Sequence, residues 1–89
     1  MDNTTKIQTV KSFLNNYSFE YSKNDTNKNQ LIDEANGIIE LVAIGNYGFS
    51  SEIATTVNKY KRISEKQAYW VAKTAVENNL DTRIEFLYN

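Results

Sequence analysis

Leu31, Ile32, Ala35, Ile38, Ile39 and Val42 recur at spacings of three and four within residues 30–44. At about 100° per residue they share one face of a helix, with Asp33, Asn36 and Glu40 opposite. Such a face is stable only when other elements cover it. The same period supplies those elements. Ile7, Val10, Leu14 and Tyr17, with Phe13 beside them, predict a helix from Thr4 to about Tyr17, and Asn3 suits its N-cap. Phe49, Ile53, Val57 and Tyr60 predict a third helix over Ser50 to Lys61, capped by Ser50 or Ser51, with Glu52 in its first turn. A fourth runs from Glu65 to Asn78. Its start is the firmest local signal, because Ser64 and Gln67 have the spacing of a capping box, each side chain satisfying a first-turn N–H.

The second helix is expected over Gln30 to Ile44, with Asn29 near its cap. Gly37 weakens it by about 1 kcal/mol relative to Ala, and either allows close packing or marks a kink. Gly45 and the following Asn-Tyr-Gly end it. Two stretches lose the period. Tyr17, Phe19 and Tyr21 alternate with polar residues, as in a short strand or extended arm, and "SKNDTNKN" reads as an exposed loop. In the tail, Ile84, Phe86 and Tyr88 alternate like a strand, whereas Leu80, Ile84 and Leu87 suit a short helix capped by Asp81. A strand there would pair with Tyr17–Tyr21. The expectation is a single mainly α domain over residues 1–89: a compact bundle of four to five short helices, with at most a minor two-stranded pairing of arm and tail. The expected core is Ile7, Leu14, Ile32, Ile39, Val42, Phe49, Ile53, Val57, Val71 and Ala75.

A chain of 89 residues buries only roughly 60–65% of its unfolded surface, so the core is thin. It contains no Cys, His or Pro. Disulfides, thiol catalysis, the usual zinc ligand sets and the commonest general base are therefore excluded. Asp33 and Glu40 share a helix face two turns apart, but a solvated face explains them better than a carboxylate pair. "IGNYG" lacks the third Gly and the preceding strand of a dinucleotide fingerprint. The expectation is no enzyme, no cofactor and no metal. No basic-plus-apolar leader and no spanning run stand out, which makes a soluble cytoplasmic protein without a membrane partner the default.

The net charge is −1, but it is unevenly placed. Residues 29–58 carry no Lys or Arg and four acids, Asp33, Glu34, Glu40 and Glu52. Residues 59–73 carry Lys59, Lys61, Arg62, Lys66 and Lys73 against Glu65 alone, a local +4. Either the two regions neutralise each other across the fold or the basic one meets a partner. On the fourth helix, Ala68, Val71, Ala72, Ala75 and Val76 cover one face, and Trp70 lies roughly 160–200° away, among Lys66, Lys73 and Glu77. Either the arm (Phe19, Tyr21) or the tail (Phe86, Tyr88) covers this indole, or it is exposed. An exposed indole beside cations suits a protein hot spot or a stacking platform for single-stranded nucleic acid. Lys59, Arg62, Lys66, Trp70, Lys73 and Glu77 are the candidate partner-binding residues.

Residues 47–75 resemble a helical hairpin common in phage and mobile-element proteins. There a helix starting at an aromatic is followed by a basic turn, Ser, a variable residue, Lys-Gln, and a helix bearing an aromatic, Val and Lys. Phe49, Ile53, Ser64, Lys66, Gln67, Trp70, Val71 and Lys73 match; the usual inter-helix Gly is replaced by Arg62 and Ile63. The match covers about a third of the chain and carries no catalytic residue. The resemblance implies a context of DNA replication or repair. "NYGFSSEIA" and "ENNLDTRIEFLYN" are also similar to parts of ubiquitin-associated domains, but the intervening fourth helix makes their spacing too long. The functional expectation is a non-catalytic inhibitor or adaptor, phage or mobile-element encoded, acting on a host defence or nucleic-acid-processing machine. The alternative is an accessory nucleic-acid-binding module using residues 59–73 and Trp70. Self-association stays open.

Overall fold

In the computed structural model all 89 residues are described. Four α-helices, α1 (Asn3–Tyr17), α2 (Thr26–Ile44), α3 (Phe49–Tyr60) and α4 (Glu65–Glu77), precede a 3₁₀ segment, Thr82–Tyr88. There is no strand, so arm and tail do not pair. The molecule measures 37 × 32 × 19 Å, and the short axis fits two layers of helices. α1 packs mainly on α4 and α2 mainly on α3, while α3 and α4 join the two pairs. No helix is long and apolar enough to cross a membrane.

Each helix starts where a side chain satisfies its orphan N–H groups, with one exception. Asp2, not Asn3, caps α1, accepting from the Thr5 N–H at 2.7 Å, and this bond holds its carboxyl below the usual carboxylate range. α2 starts at Thr26, four residues before the expected Gln30, because Asp25 accepts from the Lys28 N–H at 2.9 Å. The added turn is polar and invisible to an apolar period. At α4 both halves of the capping box form, at 3.1 and 2.9 Å. α3 is the exception: Gly48, at φ 61°, stands at its N-cap and no side chain caps it. Ser51 instead accepts from the Tyr47 N–H, and its hydroxyl faces the Val42 and Gly45 carbonyls, each at 2.9 Å. It thereby ties the start of α3 to the end of α2.

Leu14, Ile32, Ile38, Ile39, Val42, Val57 and Val71 are fully buried, with Val10, Phe13 and the alanines of α4 around them. Two expected core residues are not there. Phe49 is 62% exposed and Ile53 only half-buried, because α3 turns Ser50, Ala54 and Val57 inward. Small residues on that face let α3 lie close to its neighbours and leave the larger side chains at its edge.

The arm is held by hydrogen bonds to side chains rather than by strand pairing. Phe19 has φ 66°, which breaks the extended run, and its N–H donates to Asn36. The Tyr21 hydroxyl donates to Asp33 at 2.8 Å, and Asn29 bonds the backbone of Ser22 in both directions. The polar face of α2 is thus a mooring for the arm. Gly37 permits close packing without a kink: a Cβ there would overlap the Arg83 guanidinium, which also pairs with Glu34 at 3.0 Å. In the tail, Ile84 is fully buried, a contribution absent from the expected core. Asp81 precedes the 3₁₀ segment but does not cap it; its buried carboxylate accepts from the Tyr88 hydroxyl at 2.6 Å.

Ile39→Ala is expected to cost roughly 2–4 kcal/mol, since it leaves a sealed cavity, and Ile53→Ala less than half as much; urea unfolding of both variants checks this ordering. Burial, followed by the bond to Asp81, raises the Tyr88 phenol above its ordinary value of 10.0. A raised folded-state pKa stabilises the fold fully below the unfolded value and ever less above it. Stability should therefore decline as pH rises past about 10, and more shallowly in Tyr88→Phe, as read from urea midpoints at about pH 8 and about pH 11.

Candidate functional site

The hairpin of α3 and α4 frames a groove of about 380 Å³ lined by Phe49, Ile53, Arg62, Ser64, Lys66, Gln67 and Trp70. α3 supplies Phe49 and Ile53 one turn apart, on its outward edge. The turn supplies Arg62, and the first two turns of α4 supply Ser64, Lys66, Gln67 and Trp70. Lys61 closes α3 in the left-handed conformation, at φ 57°, a place where glycine is usual. The chain therefore makes the turn without the glycine missing from the hairpin pattern.

Trp70 is neither sealed by arm or tail nor fully exposed. It is half-buried, in edge-to-face contact with Phe49 at 5.8 Å and with Tyr69 at 5.5 Å, and the Lys73 ammonium stands 5.6 Å from its ring centre. Edge-to-face pairs contribute about 0.5–1.5 kcal/mol beyond burial, and an exposed cation over a ring about 0.5–1 kcal/mol. These contacts orient the indole without sealing it.

The ion pairs bear on the first reading of the charge pattern, neutralisation across the fold. They join Lys28 to Glu20, Lys73 to Glu77 and Arg83 to Glu34. None links residues 59–73 to the acids of 29–58, so the two regions do not neutralise each other by contact. Arg62 and Lys66 have no carboxylate within 4.0 Å, and Lys61 bonds only Asn58.

Of the six candidate residues, Arg62, Lys66 and Trp70 meet in the groove. Lys73 and Glu77 pair at 4.0 Å and border a second, smaller concavity with Ile7, Gln8 and Tyr69. Lys59 stands apart, over the Tyr60 ring at 5.4 Å. Phe49 and Ile53 belong to the site although their spacing reads as core. A helical period gives the width of an apolar stripe, not which edge of it stays open. The largest concavity, about 570 Å³ between α1 and the start of α2, is lined mostly by polar residues, and Asp25 there is already used as a cap. The α3–α4 groove has the apolar floor and the few polar groups of a binding site. No cluster of acidic side chains is arranged to hold a metal ion.

Comparison with known protein families, curated proteins and solved structures finds no match to this chain. The groove therefore has to be read from its own chemistry. Phe49→Ala should remove one of the two rings beside Trp70 and shift the emission of this single tryptophan to the red, while lowering stability by no more than about 1.5 kcal/mol; fluorescence and urea unfolding of one sample measure both.

Proposed function

We propose that this chain is a non-catalytic binding protein that holds a protein partner in the α3–α4 groove and acts as a small inhibitor or adaptor. The observation that carries this reading is the indole of Trp70, oriented by Phe49 and Tyr69 yet open to the groove, with Arg62 and Lys66 free of ion pairs beside it. Trp and Arg are the residue types that most often dominate protein interfaces, and they do so where a concave site excludes water. The resemblance of the hairpin to phage and mobile-element proteins supports a partner drawn from host defence or nucleic-acid-processing machinery.

Direct binding of single-stranded nucleic acid is the second reading, favoured by the same two cations next to an aromatic ring. It is the weaker one. The net charge of −1 gives little long-range attraction to phosphate. The Lys73 ammonium stands over the face of the indole, where a base would stack.

Trp70→Ala should weaken partner binding by more than about 2 kcal/mol. Lys66→Ala should weaken it less, with most of its effect at low salt. Capture from a bacterial extract by the wild-type chain, repeated with Trp70→Ala, identifies proteins that depend on the groove. Titration with single- and double-stranded DNA across a salt series tests the second reading. Affinity for DNA that falls steeply with salt, without any Trp70-dependent protein, would overturn the first.

A further inference from the structure

The polar groups of the groove are unequally spent. Ser64 and Gln67 line it, but their acceptor oxygens are engaged: the Ser64 hydroxyl oxygen accepts from the Gln67 N–H, and the Gln67 carbonyl oxygen accepts from the Ser64 N–H. The Gln67 amide NH₂, the Ser64 O–H, the Arg62 guanidinium and the Lys66 ammonium remain free of intramolecular acceptors. All four are donors. No carboxylate lines the groove. The site thus offers an apolar floor of Phe49, Ile53 and Trp70 and a rim with more free donors than free acceptors, two of the donors cationic.

A ligand that leaves its own donors facing such a rim loses their hydration without replacement, whereas one that presents carboxylates satisfies the rim with charge-assisted bonds. The floor asks for an apolar group as well. We infer that the groove takes an acidic segment of a partner protein, with one bulky apolar side chain seated between Phe49, Ile53 and Trp70 and flanking Asp or Glu carboxylates paired with Arg62 and Lys66. This rests on the groove being a protein-docking site. A nucleic-acid backbone would meet the rim equally well but not the floor, and only two cations line the groove.

The test is a selection of displayed random short peptides on the wild-type chain, run in parallel on Trp70→Ala and on Lys66→Glu. The lysine is exposed, so its charge reversal leaves the fold intact even where loss of the indole does not. Winners are then resynthesised, and their binding is followed through Trp70 emission. Peptides that combine Asp or Glu with a Leu, Ile, Phe or Trp, and lose about tenfold or more in affinity when the acids become Asn or Gln or when Lys66 becomes Glu, are the expected result. Winners that depend on Trp70 but are neutral or basic would overturn the acidic partner and leave the docking groove standing. No enrichment over either variant would overturn both, and steeply salt-dependent quenching of Trp70 by single-stranded DNA would then give the groove to nucleic acid.

Discussion

The buried face of α4 is built from small side chains, and most of the architecture follows from that. Ala68, Ala72 and Ala75 are fully buried between Val71 and Val76, so α1 and α3 approach α4 closely. A thin layer of this kind has no room for an indole. Burying Trp70 there would force the helices apart and lose contacts that α4 makes with α1 and α3. The largest side chain of the helix is therefore turned outward. The inward face of α3, Ser50, Ala54 and Val57, imposes the same condition and leaves Phe49 beside Trp70. The groove is what close packing excludes from the interior.

Helix number and order were legible from residue spacing, because the apolar period of α1, α2 and α4 is strong and the capping box at Ser64 is local chemistry. The departures have two causes: polar caps that an apolar period does not register, and contacts far apart in sequence. The first turn of α2 is polar and rests on the Asp25 cap. The arm is moored by Asn29, Asp33 and Asn36, which look like a bare solvent face until a loop is laid over them. The burial of Ile84 needs the end of the chain to cross the bundle. At the groove, the cations and Trp70 could be found from the basic run and the helical wheel. Phe49 and Ile53 could not, since nothing local distinguishes the inner edge of an amphipathic stripe from the outer one.

The charge pattern gains meaning from the pairs that do not form. A surface ion pair is worth little, so the three observed ones contribute modestly to stability. Their value here is to show which cations are already committed. Lys73 and Arg83 are; Arg62 and Lys66 are not. A cluster of like charge left unpaired is slightly repulsive in the free protein, and a complementary ligand would relieve that repulsion. A near-neutral chain can in this way hold one polarised patch.

Phe19 and Lys61 are the only two residues outside the Gly48 and Asn79 turns to hold positive φ, and they touch: the Lys61 ammonium lies 5.6 Å from the centre of the Phe19 ring. Two left-handed turns, one ending the first helix and one ending the third, are thus fastened to each other across forty-odd residues of chain. Such a clasp couples their freedom. Thermal opening of the arm would cost the hairpin turn part of its support, and the step from Lys61 to Arg62 is a single peptide bond. The Lys61–Phe19 contact thus sets the turn that carries Arg62 against a loop that takes no part in the groove.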